Sequence, residues 1–310
     1  CASYGVSGRT LSTILARFDR NGVEYALLHP VRHEAGEIAG DVDIGFLRNP
    51  RAVVAPVLRE LEAEGCFQVV QCLHYEIPHG YYYILKLVGC SAEYLHLDCL
   101  CDPNGMSRYH VPVSALLEGR TRSSEGVRLS PDKEVLYTLV KRVVKGKIRE
   151  QDLKPLQQTL LSRSKELEEP LSAWFGVEGR AKLETLCRVD DAESAVELLD
   201  RLRSDMEHRF RKSHPLSCVT GTILSSVRRL KRLLQPTGLF VVLLGPDGSG
   251  KSSVAGLLPV ELKRAFRATW RFHWRPNWLP KLSGRDTGEK KEGCECVAPP
   301  QNAAYDPVIS

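Results

Sequence analysis

The apolar positions of the first hundred residues follow two periods. Leu11, Ile14, Leu15 and Phe18 recur at helical spacing. So do Val53, Val54, Val57, Leu58 and Leu61, with Gly65 as a stop. Around these helices, residues 23–28, 41–46, 67–75, 81–88 and 93–100 read as strands. Helices and strands interleaved in this way predict a small α/β or α+β domain over residues 1–125. From Pro131 the helical period takes over. Val135, Leu136, Leu139 and Val143 share a face, and residues 153–161, 192–210 and 216–234 continue the pattern. Residues 126–236 are therefore expected to form a helical region. Pro236-Thr-Gly238 breaks it, and the apolar run 239–244 predicts a buried strand that opens a third region, residues 237–310. From Ser283 onward the chain reads as loop.

Composition narrows the class. The chain has 310 residues, 43% hydrophobic and 26% charged, which excludes a disordered chain, a collagen-like repeat and a small disulfide scaffold. No apolar run approaches the ~18–20 residues that a membrane helix needs, so no membrane segment is expected. The first residues lack the apolar core of a signal peptide. The sequence starts at Cys1 without an initiator Met, and the expectation is a segment of a longer gene product. A net charge of +5 is mild and does not predict a nucleic-acid partner. Arg228, Arg229, Lys231 and Arg232 are read as a solvated helix face. The cysteines form no C-x-x-C, and the pairs Cys99/Cys101 and Cys294/Cys296 lack a matching partner spacing for zinc. Reduced thiols of a cytoplasmic protein are the expectation. Oligomeric state is left open.

The most specific motif is Gly245-Pro246-Asp247-Gly248-Ser249-Gly250-Lys251-Ser252, which fits G-x-x-x-x-G-K-S/T. The expected strand precedes it, and a helix-like run, Val254 to Leu262, follows. Glycines at these positions permit backbone angles and close approaches that a Cβ would obstruct. Successive N–H groups then point at phosphate beside the positive end of the helix dipole. Lys251 would neutralise β/γ-phosphate charge and the Ser252 hydroxyl would ligate Mg²⁺. The segment 245–253, ending at Ser253, resembles the phosphate-binding loop of thymidylate kinases and their relatives. The resemblance implies ATP binding and transfer of its γ-phosphoryl group to a nucleoside monophosphate or similar acceptor, with Lys251 in a catalytic role. Arg275-Pro276 is a partial match to that family's Arg-Glu-Pro segment, without the Glu. Trp270, Trp274 and Trp278 recur every four residues and are read as packing groups. After residue 283 there is no further Asp-Arg segment and no Arg-bearing lid, so this stretch is expected not to act as a kinase by itself.

A second constellation is acidic. In a strand over Gly40-Asp-Val-Asp-Ile-Gly-Phe46, alternation places Asp41 and Asp43 on one face, with Val42 and Ile44 on the other. Two carboxylates about 7 Å apart along a strand repel unless a cation lies beside them. Carboxylates together with substrate phosphates suit Mg²⁺. Along Leu95-His-Leu-Asp-Cys-Leu100, Asp98 and His96 face opposite to Leu95, Leu97 and Cys99. A helix, a strand, a D-x-D strand and a later strand carrying a third Asp are together similar to the nucleotidyltransferase superfamily that includes DNA polymerase β-like enzymes. The resemblance covers about residues 9–120. It implies two-metal nucleotidyl transfer with Asp41, Asp43 and Asp98 as ligands. Where that superfamily shows Gly-Gly or Gly-Ser after the first strand, this chain has Leu27-Leu-His-Pro-Val-Arg-His33.

The expected whole is an α/β and α+β protein: a nucleotidyltransferase-like mixed sheet, a helical middle and the first part of a P-loop kinase-like domain. Its expected function is a nucleotide-dependent transferase acting on a small-molecule acceptor with ATP, or another NTP, and Mg²⁺. The alternative is a nucleotide-sensing protein whose transferase-like domain binds without catalysis.

Overall fold

The computed structural model describes residues 5–74, 79–89, 93–102, 111–148 and 150–213, isolated positions between 223 and 230, and 239–246, 248–262, 265–266, 269–270 and 296–297. Asp247, Arg228, Arg229, Lys231, Arg232, Trp274, Trp278 and Arg275-Pro276 lie outside the described residues, as does most of the expected helix 216–234. The described residues divide into two compact units, drawn from Cys1–Val88 with Leu95–Thr237 and from Gly89–Tyr94 with Gly238–Ser310.

The first unit is built on a seven-stranded mixed sheet. Its elements run α1 (Val6–Arg20), β1 (Tyr25–Leu27), β2 (His33–Glu34), β3 (Glu37–Ile38), β4 (Asp41–Phe46), α2 (Pro50–Ala63), β5 (Phe67–His74), β6 (Gly80–Leu87), β7 (Tyr94–Leu100), α3 (Val113–Leu117), β8 (Thr121–Ser123) and β9 (Gly126–Arg128). Four longer helices follow: α4 (Pro131–Lys145), α5 (Glu150–Ser162), α6 (Ser164–Leu186) and α7 (Ala192–Ser213). The strand order is β5-β6-β7-β4-β1-β9-β8, with β2 and β3 in a separate hairpin. β4 runs parallel to β7 and antiparallel to β1.

The helices start and stop where local chemistry dictates. Asn49 caps α2 by accepting the Arg51 N–H at 3.0 Å, and Pro50 fills the first helical position, where a missing N–H costs nothing. The Glu37 carboxylate accepts the Val6 and Ser7 N–H groups at 2.9 Å each, so β3 neutralises the positive end of α1. Gly146, at φ 59°, ends α4 in the left-handed conformation.

Each face of the sheet has its own core. On one face α1 and α2 bury Ile14, Phe18, Val54, Leu58 and Leu61 against Leu27, Val42, Ile44, Leu97 and Cys99. Phe18 meets the cross-strand pair Tyr25 and Phe46 edge-on, with centroids 5.5 and 5.7 Å away. On the other face Ala26, Leu28 and Leu100 join the apolar side of α3 to α7 in one continuous cluster. The sheet alternation thus sends odd residues of β4 toward the helical side. Gly45 is one of them. A Cβ there would lie 2.8 Å from Leu28 Cδ2 and 3.0 Å from Leu117 and Val113, so only glycine lets α3 seat this closely.

The second unit contains α8 (Lys251–Glu261) and a two-residue antiparallel pair, β10 (Thr269–Trp270) with β11 (Cys296–Val297). That pair corrects the reading of the whole stretch beyond 283 as loop. The expected buried strand 239–244 is also corrected. Its residues carry no strand pairing, and Leu239, Phe240, Val242 and Leu244 are 64%, 84%, 58% and 88% exposed. An extended apolar run becomes a core strand only when a neighbour accepts its backbone groups and covers its side chains, and no described residue does so here. Among the described residues, no helix is long and apolar enough to cross a membrane. Cys66, Cys72, Cys99, Cys101 and Cys187 are free thiols.

Candidate active site

The acids lie on the helical side of the sheet, at the junction of β4 and β7. Parallel register puts Asp43 directly opposite Asp98 and Asp41 opposite His96. Side chains two apart on a strand share a face, so Asp41, Asp43, His96 and Asp98 all rise from one surface. Apolar residues at the alternate positions, Val42, Ile44, Leu97 and Cys99, anchor both strands from below.

Asp43 is almost fully buried, at 5% exposure, and its Oδ2 gathers three donors. His29 Nε2 stands 3.1 Å away, the Tyr137 hydroxyl donates at 3.2 Å, and the Lys141 ammonium is in direct contact. Burial alone would raise this carboxyl. The Lys141 charge and the His29 hydrogen bond overcome it and hold Asp43 well below the usual carboxylate range. Asp41 is held by different groups: the Tyr82 hydroxyl donates to its Oδ1 at 2.7 Å, and His96 Nδ1 lies 3.3 Å from the same oxygen. Burial opposes ionisation here too, but the contacts with His96 and Tyr82 win, and the pKa is lowered.

Asp98 behaves in the opposite way. Burial, then the negative charges of Asp43 and Asp41, push its carboxyl up to about 8, with Lys141 offsetting only part. These surroundings favour its neutral form, while Asp41 and Asp43 are held as carboxylates beside the Lys141 ammonium. Lys145, one turn beyond Lys141, is lowered to about 8 by burial and by the like charge of Lys141.

The sequence reading named Asp41, Asp43 and Asp98. Of the others here, it placed only His96 on the Asp98 face, and it missed the roles of His29, Tyr82, Tyr137, Lys141 and Lys145. A weak signal exists for the last three. Tyr137, Lys141 and Lys145 recur every four residues on α4 and so form one polar stripe beside its apolar face. Among the described residues, no group of three or more His, Cys, Asp or Glu side chains forms a ready-made metal site. The donor chemistry nonetheless suits a hard divalent cation. Three carboxyl groups share a surface, burial and then the charges of Asp43 and Asp41 raise the Asp98 carboxyl, and His96 Nε2 is buried without a hydrogen-bond partner. A cation in the first unit would meet Asp43 where the Lys141 ammonium now stands.

The glycine-rich loop of the second unit has its own geometry. Gly248 and Gly250 adopt φ of 81° and 79°, the left-handed region that favours glycine. The chain wraps around the Lys251 side chain, whose ammonium donates to the Gly245 carbonyl at 2.6 Å and also to the Pro246 carbonyl. Ser249 N–H closes the turn onto Pro246 O at 3.3 Å. Gly250 is the N-cap of α8 and makes no side-chain cap hydrogen bond. Ser252 and Ser253 are exposed at that turn.

No family model matches the chain, and no curated protein matches it either.

Proposed function

We propose that the first unit is a nucleotidyltransferase whose acidic cluster takes Mg²⁺ and transfers a nucleotidyl group from an NTP to a small-molecule acceptor. The observation that carries this reading is the parallel register of β4 and β7, which sets Asp43 opposite Asp98 and raises Asp41 and His96 from the same surface. Asp41, Asp43 and Asp98 would hold the metal. When bound, the metal supplies charge neutralisation for the triphosphate and activates the attacking oxygen. The chain's own residues do the positioning. Tyr82 and His96 fix the Asp41 carboxylate, His29 and Tyr137 fix that of Asp43, and β4 and β7 keep them in register. Asp98 is the member able to give up a proton as positive charge arrives.

In the second unit, the loop 245–252 would bind the phosphates of ATP or another NTP. The left-handed glycines and the lysine enclosed by the loop support that reading. Gly245, Pro246, Asp247, Gly248, Ser249 and Gly250 would supply the cradle, Lys251 the charge, and Ser252 with Ser253 the hydroxyls toward Mg²⁺.

A second reading has a specific observation in its favour. Asp43 already has an internal cation, and residues 27–33 lack a Gly-Ser for the triphosphate. These features suit a nucleotide sensor that binds without turnover. Incubation of the full chain with α-labelled NTPs, Mg²⁺ and pooled small-molecule acceptors separates the two. Transfer of label that is lost in Asp43→Asn supports the transferase; nucleotide binding without any product supports the sensor.

A further inference from the structure

We propose that Lys141 is the resident counter-ion of the acidic cluster, and that it must leave Asp43 before a divalent cation can load. The inference rests on the reading of that cluster as a metal site. It adds a competition built into the fold.

The geometry sets the two cations in competition for Asp43. Lys141, His29 Nε2 and the Tyr137 hydroxyl all converge on one atom, Asp43 Oδ2. A carboxylate oxygen has two in-plane lone pairs, so three donors saturate Oδ2, and a metal that takes Oδ1 stands beside the ammonium. Lys141 reaches from α4 to Asp43 and also acts on Asp98, so the ammonium and a metal are drawn to the same carboxyl groups. Like charges cannot share the oxygen at contact distance in a buried site.

Lys141 is also the donor able to go. His29 has only two side-chain torsions and follows directly on the buried Leu27 and Leu28, and the Tyr137 ring is buried at 4% exposure. Lys141 has four rotatable bonds, and its side chain is 21% exposed. The α4 backbone cannot follow, because Leu136, Leu139, Val140 and Val143 are locked into the helical core. Displacement is thus a side-chain event, which changes metal affinity and leaves the fold in place.

The test uses the full chain and Mn²⁺ as the probe, followed by electron paramagnetic resonance without nucleotide. Lys141→Met keeps the packed stem and removes the charge; Lys141→Arg keeps the charge. The Met variant is expected to bind Mn²⁺ about tenfold or more tightly than wild type, the scale of one charge-assisted contact, and the Arg variant to stay near wild type. Binding by Lys141→Met that equals or falls below wild type overturns the counter-ion role and leaves the metal site standing. Failure of both proteins to bind Mn²⁺ overturns the metal site and the competition together. A measurement on wild type alone guards against a Met variant that does not fold. Mn²⁺ should speed acetylation of Lys141 by an amine-reactive ester severalfold relative to exposed Lys86, read by peptide mass spectrometry. Unchanged or slower labelling contradicts the displacement.

Discussion

Asp43 and Asp98 face each other across parallel strands, yet they hold opposite protonation states: Asp43 is kept ionised by Lys141 and His29, while Asp98 is pushed up to about 8. Burial raises both carboxyls; Lys141 and His29 reverse it at Asp43, whereas Lys141 offsets only part of it at Asp98.

That split has a signature in stability. The folded-state pKa of Asp98 lies above its ordinary value of 3.8. Its protonated form favours the fold, so its contribution is fully present below about pH 4 and is lost as pH rises through about 8. Wild type should therefore lose stability relative to Asp98→Asn across that window, on the order of a few kcal/mol. Thermal melts of both proteins at half-unit pH steps read the difference; a gap that is flat with pH refutes the assignment.

Tyr82→Phe removes the 2.7 Å donor to Asp41 and leaves the ring in place. Burial then acts on Asp41 with less opposition, so its carboxyl pKa should rise, with a stability loss of about 1–2 kcal/mol. Carboxyl carbon NMR of the labelled protein gives the first quantity and urea unfolding the second.

Gly45→Ala tests the close seat of α3. The new Cβ would fall 2.8–3.0 Å from Leu28, Val113 and Leu117, at ordinary backbone angles. Overpacking of this kind costs about 1–3 kcal/mol. Unfolding by urea should show that loss, and a neutral result would mean that α3 shifts freely.

In the glycine-rich loop, Lys251→Ala should weaken ATP binding about ten- to a hundredfold, the scale of a lost charge-assisted contact. Gly250→Ala forces a Cβ into φ 79° and should weaken it as well, at a backbone cost of about 1–2 kcal/mol. Calorimetry with Mg²⁺ decides; equal ATP binding by wild type and both variants would remove the loop from the account.

What the sequence could express depended on distance along the chain. The faces of α1, α2, β4 and β7 were legible because alternation and helical spacing are local. Asp43 and Asp98 could be placed on strand faces, but no periodicity states that β4 and β7 are neighbours in parallel register. Lys141 reaches Asp43 from a helix 98 positions away, and the apolar spacing of that helix dominates its pattern. α6 was missed because Gly176, at φ 72°, divides its apolar face between Leu167, Leu171 and Phe175 and the later pair Leu183 and Leu186. The run 239–244 misled in the other direction. Its composition says strand, but burial is a property of partners, which a single segment does not encode.

The central claim is that Asp41, Asp43 and Asp98 form a divalent-cation site, and nucleotide-free Mn²⁺ titration of the full chain tests it most directly. Wild type should bind Mn²⁺ at a site that Asp43→Asn and Asp98→Asn each weaken at least about tenfold, as expected when one charged ligand is lost. Mn²⁺ uptake that is the same in wild type and both variants, or absent from wild type, would contradict the account.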